Sequence, residues 1–231
     1  MKSFIRALGR EAESRATALA TNRGGETATL YFGGGTPSML SDTHLGRLME
    51  TLDRLVPVDK LDEFSFEANP ATFTEKKVRF WRSLGMTRVS LGVQSLDSGI
   101  LHLLGREHTP AQALHSVEML KNAGMAHINM DLMFAIPGQT LSIWEATLKE
   151  AVRAGTDHIS AYNLTYEEDT EFFRSLLRGE KRQDPDEDAS FFELAEHMLE
   201  AAGMRHYETS NYAREGCLSP HNMAYWKGED Y

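Results

Sequence analysis

Polar side chains recur along three apolar segments of the sequence. Glu67 ends EFSFE, Gln94 ends RVSLGVQ, and Asp131 lies inside HINMDLMF. In each segment apolar residues alternate with small or polar ones, which indicates a β-strand with two different faces. Two carboxylates and an amide on one face offer acceptors and a donor for a polar ligand, although edge groups that meet solvent give the same pattern.

A glycine-rich turn follows a fourth short apolar segment, in TLYFGGGTPSML. Glycines let the backbone approach a ligand closely and present its N–H and C=O groups. A tight strand-to-helix turn explains Gly33, Gly34 and Gly35 equally well. Arg106, in LLGREH, carries a guanidinium suited to a carboxylate, but an isolated arginine is more often a surface residue.

The elements that carry these residues alternate between strand and helix patterns. The predicted strands are Thr29–Phe32, Glu63–Glu67, Arg88–Gln94, His127–Phe134 and His158–Leu164. The predicted helices are an N-terminal amphipathic helix in MKSFIRALGREAESRATAL, then Asp42–Leu55, Thr74–Leu84, Pro110–Ala123 and Leu141–Ala154. Gly85, Gly124 and Gly155 follow three of them as C-terminal caps. Repeated strand–helix units predict a parallel sheet whose carboxyl ends carry the site.

The regular alternation of strand and helix patterns ends after the fifth strand. We predict a short helix over Asp169–Leu177, a charged turn, a helix over Phe191–Ala202 and a sixth strand in MRHYETSNYA, with no helix to cover that strand. Because a complete (β/α) barrel has eight units in about 250 residues, five or six units predict a partial barrel. We assign residues 1–178 to its core and 179–231 to a segment that closes it.

Composition narrows the classes of function. The chain has 231 residues, 41% hydrophobic and 25% charged, as in ordinary globular proteins. Its net charge of −10 argues against a nucleic-acid surface. No apolar run approaches the ~20 residues of a membrane span, and the N-terminus lacks a signal-peptide core. The lone Cys217 excludes an internal disulfide framework. Together these features favour the cytoplasm.

Taken in order, GGGTPS, EANP, GVQS, LGREH, DLMFAIPGQT and YNLTYEEDT resemble the radical-SAM group of oxygen-independent coproporphyrinogen oxidase and the heme chaperone HemW. The resemblance covers nearly the whole chain and implies a barrel that binds S-adenosylmethionine (SAM). The residues it assigns to SAM are Gly34, Gly35, Thr36, Glu67, Gln94, Arg106 and Asp131. It implies that the glycine turn contacts the methionine end, that Arg106 pairs with the carboxylate, and that Gln94 and Asp131 hold the nucleoside. The loop Tyr162–Thr165 is implied near the adenine.

The family also has a CxxxCxxC loop after the first barrel strand, whose three thiolates hold a 4Fe-4S cluster. This sequence has Cys217 alone, which we read as a buried or idle thiol, and it begins with what resembles the helix after that loop. We therefore expect the cysteines and the first strand upstream of Met1 in a full-length form, and no SAM cleavage by the chain as written. The family's C-terminal extension is missing as well.

The tail, SPHNMAYWKGEDY, resembles an HNxxYW motif typical of the heme chaperones. Its matching residues are His221, Asn222, Tyr225 and Trp226. A histidine can ligate heme iron, and aromatic rings can pack on a porphyrin. From the residues alone, a structural histidine–aromatic cluster is an equal alternative. The other eight histidines show no metal-ligand spacing and are read as structural or surface residues.

The resemblance favours a chaperone that binds heme or a porphyrin and passes heme to an accepting protein. One alternative is the oxidase, which decarboxylates coproporphyrinogen III with a SAM-derived radical. Another is a cluster-less pseudoenzyme that binds SAM or heme without chemistry. A sugar-phosphate barrel is disfavoured because Glu67 and Asp131 would repel a phosphate held by the glycine turn.

Overall fold

The computed structural model describes residues 2–21, 28–165, 168, 174, 178 and 185–229. Its helices are α1 (Lys2–Thr21), α2 (Asp42–Leu52), α3 (Glu75–Ser83), α4 (Ser98–Leu103), α5 (Pro110–Asn122), α6 (Leu141–Ala154), α7 (Pro185–Ala201) and α8 (Pro220–Lys227). Its strands are β1 (Thr29–Phe32), β2 (Glu63–Ala68), β3 (Arg88–Gln94), β4 (His127–Phe134), β5 (His158–Asn163), β6 (Arg205–Glu208) and β7 (Asn211–Ala213).

The seven strands follow the order β1-β2-β3-β4-β5-β7-β6 in one sheet. β1 pairs with β2 in parallel, and β4 pairs with β5 in parallel, with Asp131 opposite Ser160. The sheet is not closed, since β1 and β6 are the two ends of the strand order. The expected α/β architecture with a partial, mostly parallel barrel sheet is therefore confirmed.

The end of the sheet differs from the prediction of a single sixth strand. MRHYETSNYA folds into a hairpin in which β6 and β7 pair antiparallel, and β7 pairs antiparallel with β5. A bulge between His206 and Glu208 shifts the register of this hairpin. The polar residues between the two strands allow the chain to reverse there, which an alternating pattern alone does not signal.

Helix boundaries follow local capping groups. Thr140 accepts from the Ile143 N–H at the start of α6, and Gly155 ends it in the left-handed conformation, at φ 65°. Ser219 likewise caps α8, a helix that the sequence reading did not anticipate. α8 contacts β1 and β2. Within the predicted helix Asp169–Leu177 the structure describes Arg174 alone, which is helical, and the other residues of this helix lie outside the described part of the chain. The predicted domain boundary at residues 178/179 stays a prediction.

The chain divides into two compact units. Unit 1 comprises residues 1–90, 119–128 and 219–231, and unit 2 comprises residues 91–118 and 129–218. In unit 1, Phe66 packs against Trp81, with ring centroids 4.7 Å apart. In unit 2, Phe134 packs against Trp144, whose indole N–H donates to the Phe191 carbonyl at 3.0 Å. Each unit thus has its own aromatic core beneath the strands that carry the predicted site residues.

Within the described part of the chain, no helix combines the length and the apolar character needed to cross a membrane.

Candidate functional site

The glycine turn after β1 has open space beside Gly34 and Gly35. Gly34 has φ 96°, a conformation that favours glycine, and side chains built at Gly34 or Gly35 would meet nothing within 4 Å. The Asn69 amide donates to the Thr36 hydroxyl at 3.4 Å. The turn therefore leaves two residues of accessible backbone, as its predicted contact with the methionine end of SAM requires.

A hydroxyl network supports the turn from the loop after β2. The Ser38 hydroxyl lies 2.7 Å from that of Thr72, which donates to the Asn69 carbonyl at 2.7 Å. The Lys77 ammonium donates to the Ser38 carbonyl at 2.5 Å. Sequence reasoning missed these residues, although the small polar residues on both sides of Pro37, and Asn69 before Pro70, were the available signal.

Glu67 lies close to the turn, and both of its carboxylate oxygens accept hydrogen bonds. The Tyr31 hydroxyl donates to Oε1 at 2.5 Å, and the Gly34 N–H donates to Oε2 at 3.1 Å. The structure thus brings two of the predicted SAM residues together. Each carboxylate oxygen has a second lone pair, so Glu67 can still accept from an ammonium group.

Gln94 ends β3 in the left-handed region, at φ 67°. The Ser95 N–H donates to the Val93 carbonyl at 2.8 Å, so Gln94 occupies the centre of a three-residue turn. The buried His108 Nε2 lies 3.1 Å from the same carbonyl and donates to it. Burial lowers the pKa of His108, while the hydrogen bond to Val93 opposes that effect. A strained backbone held by a buried histidine is typical of a functional position.

Asp131 is held by a line of side chains that we call the relay: Asp131, Asn129, His158 and Tyr207. The Asn129 amide donates to Asp131 Oδ1 at 2.7 Å and to the Ser160 hydroxyl at 2.9 Å. Asn129 Oδ1 lies 2.7 Å from His158 Nδ1, and His158 Nε2 lies 2.8 Å from the Tyr207 hydroxyl. A carboxylate only accepts, so the amide orientation is fixed, Nδ1 carries the proton and Nε2 accepts from Tyr207.

The charge of Asp131 affects the pKa of both Arg106 and Tyr162. Burial lowers the pKa of Arg106, and the nearby Asp131 carboxylate opposes this shift. Burial, with the charge of Asp131, raises the pKa of Tyr162 to about 12. Within unit 2 the Asp131 carboxylate therefore lies near enough to the half-buried Arg106 guanidinium to affect its pKa. Such a pair can bind a ligand that carries both an acid and hydroxyl groups.

His221, on α8, packs against β1 inside unit 1. Its Nδ1 lies 2.8 Å from the Thr29 hydroxyl, and its ring stacks on Tyr31 with centroids 4.8 Å apart and planes at 8°. Burial lowers the pKa of His221, and the Glu63 carboxylate partly opposes this. The side chain is therefore mostly neutral near pH 7, and its ring orientation is fixed on two sides.

The buried carboxylate of Glu63 holds the start of α8. It accepts from Ser219, the cap of α8, at 2.8 Å, from Ser65 at 2.7 Å and from the Arg88 guanidinium at 2.5 Å. This anchor was not predicted from sequence, because Glu63 and Ser219 are 156 positions apart. It fixes the helix that carries His221, Asn222, Tyr225 and Trp226.

The two aromatic residues of the tail motif lie at the surface. Tyr225 is 66% and Trp226 is 57% exposed, while Asn222 is half-buried. Cys217 is also half-buried, and its thiol lies 3.7 Å from the Glu215 carbonyl. Because the sequence contains one cysteine, the three thiolates of a cluster loop are not among these 231 residues.

The structure gathers the predicted residues into two sets. Unit 1 contains Gly34, Gly35, Thr36, Glu67, His221, Asn222, Tyr225 and Trp226. Unit 2 contains Gln94, Arg106 and Asp131. The residues that sequence reasoning missed are mainly those that hold the others in place: Tyr31, Glu63, Asn129, His158 and Tyr207.

A profile of the radical SAM superfamily matches residues 10–151. The chain is 36% identical over 205 residues to the heme chaperone HemW of Bacillus subtilis and 35% identical over 215 residues to that of Escherichia coli. These alignments cover 88% and 92% of this chain and 54% and 56% of the relatives. The chain therefore spans about half the length of these relatives.

A solved structure is similar over nearly the whole chain. Coproporphyrinogen III oxidase (HemN) from Escherichia coli matches with a TM-score of 0.80 and 23% identity. The match covers 98% of this chain and 51% of the other. At this level of identity the similarity establishes the fold.

Proposed function

The chain belongs to the radical SAM superfamily, and on this premise we propose that it is a heme-binding protein of the HemW type that passes heme to an acceptor. The observation that carries the proposal is the position of His221 at the start of the exposed HNMAYW helix. The HemW relatives at about 36% identity support it.

The geometry of His221 suits an axial ligand. When Nδ1–H donates to the Thr29 hydroxyl, Nε2 keeps its lone pair and can bind a metal ion. The hydrogen bond to Thr29 also sets the direction of the imidazole ring. Bound heme supplies an iron with an axial position for that nitrogen and a flat apolar ring. Tyr225 and Trp226 offer exposed aromatic surface for the porphyrin, at the low entropy cost of rigid side chains.

The superfamily implies SAM and a 4Fe-4S cluster as cofactors. SAM supplies an ammonium, a carboxylate and ribose hydroxyls. We assign the ammonium to Glu67, the carboxylate to Arg106, and the ribose to Gln94 and Asp131. One cysteine does not fit a cluster with three thiolate ligands, so we derive no step through a cluster for these residues.

Oxygen-independent coproporphyrinogen III oxidase is the second candidate, because the same SAM residues serve it equally. The HNMAYW tail favours the chaperone over the oxidase. Protein isolated anaerobically from its source, incubated with coproporphyrinogen III, SAM and a reductant, separates the two. Release of CO₂ from propionates supports the oxidase, whereas the chaperone leaves the porphyrinogen unchanged.

Titration of ferric heme, followed by its Soret absorbance, tests the assignment of His221. We expect His221→Ala to weaken heme binding about tenfold or more and to change the spectrum of the bound heme, since an axial ligand is lost. His102→Ala, at an exposed histidine of α4, is the matched control and should bind as the wild type does. Unchanged affinity in His221→Ala would remove the assigned role of this histidine.

A further inference from the structure

A continuous line of contacts joins the tail histidine to the glycine turn inside unit 1. His221 stacks on Tyr31, the Tyr31 hydroxyl donates to Glu67 Oε1, and Glu67 Oε2 accepts from the Gly34 N–H. The residue that links the two ends is Tyr31, on β1. Its ring faces the histidine and its hydroxyl faces the carboxylate, so one side chain contacts both proposed ligand sites.

Close packing maintains this arrangement. A side chain at Gly33 would put its Cβ 2.3 Å from Tyr31 Cε1 and 2.8 Å from Glu67 Oε1. The chain therefore needs glycine at this position because Tyr31 and Glu67 lie against its backbone. At Gly35, by contrast, the same construction meets nothing within 4 Å. The crowding is specific to the Tyr31–Glu67 contact rather than general to the turn.

We propose that Tyr31 couples Glu67 to His221, so that a cation bound at Glu67 changes the affinity of His221 for its ligand. This inference rests on the proposed function, with the SAM ammonium as the cation and heme iron as the ligand. An ammonium that binds the free lone pairs of Glu67 draws negative charge away from the oxygen that accepts from the Tyr31 hydroxyl, and so weakens that hydrogen bond. The phenol then reorients or loses its short hydrogen bond, and the imidazole stacked on it moves in response.

The coupling is physically reasonable because Tyr31 is 41% exposed on an edge strand. A ring with a solvent-facing side can shift without opening a cavity in the core. The Thr29 hydroxyl holds the other side of His221, so a movement of Tyr31 changes the tilt of the imidazole rather than releasing it. By linkage, heme at His221 changes the affinity of Glu67 for its cation by the same factor.

A double-mutant cycle tests the coupling without any ligand. The ring resonances of His221, identified by their loss in His221→Ala, are recorded for the wild type, Glu67→Gln, Tyr31→Phe and the double variant. Tyr31→Phe keeps the stacked ring and removes only the hydroxyl. We expect Glu67→Gln to shift the His221 resonances in the wild type, and to shift them by less than half as much in the Tyr31→Phe background, where the hydroxyl link is missing.

An equal shift of His221 in both backgrounds, or no shift in either, would overturn the coupling. The other histidine resonances and the thermal midpoint show whether each variant is folded. Tyr31→Leu, which removes the stack, gives a second measurement and should shift His221 more than Tyr31→Phe does. Because these readouts need no heme, they remain decisive even where His221 proves not to be a heme ligand.

Ligand binding then measures the size of the coupling. We expect SAM to change the apparent heme affinity of the wild type about fivefold or more, and that of Tyr31→Phe less than twofold. An equal effect of SAM in both proteins would overturn the role of Tyr31. Loss of heme binding in the wild type itself would instead overturn the proposed function.

Discussion

Glu67 in unit 1 and Asp131 in unit 2 are both strand carboxylates assigned to the same cofactor, yet their surroundings differ. The partners of Glu67 are an exposed phenol and the backbone N–H of an open turn. Asp131 accepts from Asn129, which is buried and bonded in turn to a buried histidine. One carboxylate can exchange its partners with nearby water, whereas the other is held by a buried amide that is itself bonded to a buried histidine.

The difference indicates which of the two side chains can respond to a bound ligand by changing its partners. We expect Glu67 to respond in this way and Asp131 only to hold the ligand in place. Rearranging the relay breaks hydrogen bonds of the buried Asn129 and His158, at a cost of about 1–3 kcal/mol for each group. Rearranging Tyr31 exchanges one exposed hydrogen bond for another with water and costs far less. We therefore expect Asp131 to set the geometry of bound ligand, and Glu67 to report that ligand to His221.

The largest effect is expected from breaking the relay. His158→Phe removes the hydrogen bonds of His158 to the Asn129 carbonyl oxygen and to the Tyr207 hydroxyl, so the free energy of unfolding should fall by about 3 kcal/mol. Urea denaturation measures it. Tyr207→Phe, which removes only the outer hydroxyl, should cost about 1 kcal/mol. A loss below about 1 kcal/mol in His158→Phe would show that the relay is not a fixed support.

A smaller effect is expected from crowding the Tyr31–Glu67 contact. Gly33→Ala forces Tyr31 and Glu67 apart and should lower the free energy of unfolding by about 1 kcal/mol, since the exposed ring can yield. Gly35→Ala is the matched control, because its Cβ enters open space. Equal thermal midpoints for the two alanine variants would contradict the close packing at Gly33.

The loss of stability at acidic pH should depend on His221 in unit 1. Because burial lowers the pKa of His221 in the folded state, the unfolded chain binds its proton first as the pH falls below about 6.5. The stability tied to this group is therefore present above that pH and is lost on acidification. His221→Asn should flatten the loss of stability below about pH 6.5 in urea titrations, and an unchanged slope would contradict this prediction.

The loss of stability at alkaline pH should depend on Tyr162 in unit 2. The folded-state pKa of Tyr162 is raised to about 12, so above about pH 10 the unfolded state releases the phenol proton more readily. Stability from this group is present below pH 10 and falls as the pH rises toward 12. Tyr162 is 41% exposed, so the effect is small. Tyr162→Phe should lose less stability than the wild type between these pH values.

The smallest expected change is Tyr31→Phe. Loss of an exposed hydroxyl should alter the free energy of unfolding by only about 0.5 kcal/mol, even though the same variant should reduce the coupling to His221 by more than half. The measurement is a urea titration beside the resonance shifts of the cycle. A loss of unfolding free energy as large as that of His158→Phe would show that the contact of Glu67 with Tyr31 is as rigid as the relay that holds Asp131. The proposed difference between the two carboxylates would then be wrong.

Local pattern was sufficient for much of the fold. The predicted bounds of β3, β4 and α6 agree with the structure, because strand alternation and capping residues are written in adjacent positions. The β6–β7 hairpin was missed, since a polar turn inside an alternating segment resembles a continuous strand. The short helix α4 was missed as well, and Arg106 follows it.

The site was less predictable than the fold. Glu67, Gln94 and Asp131 could be found because each is a polar residue on an otherwise apolar strand. Tyr31, Asn129 and His158 could not, because their roles depend on the register between neighbouring strands and on contacts with the distant tail and hairpin. The sequence predicted which groups would bind a ligand, and the structure was needed to find the side chains that hold those groups in place.

Calorimetric titration of SAM into the wild type, Glu67→Gln and Asp131→Asn tests most directly whether both carboxylates serve one cofactor. Each variant loses the charge of one acceptor while keeping its shape. Because a hydrogen bond to a charged group contributes about 1.5–3 kcal/mol, we expect each to weaken SAM binding about 10- to 100-fold. Unchanged SAM affinity in both variants would contradict the account.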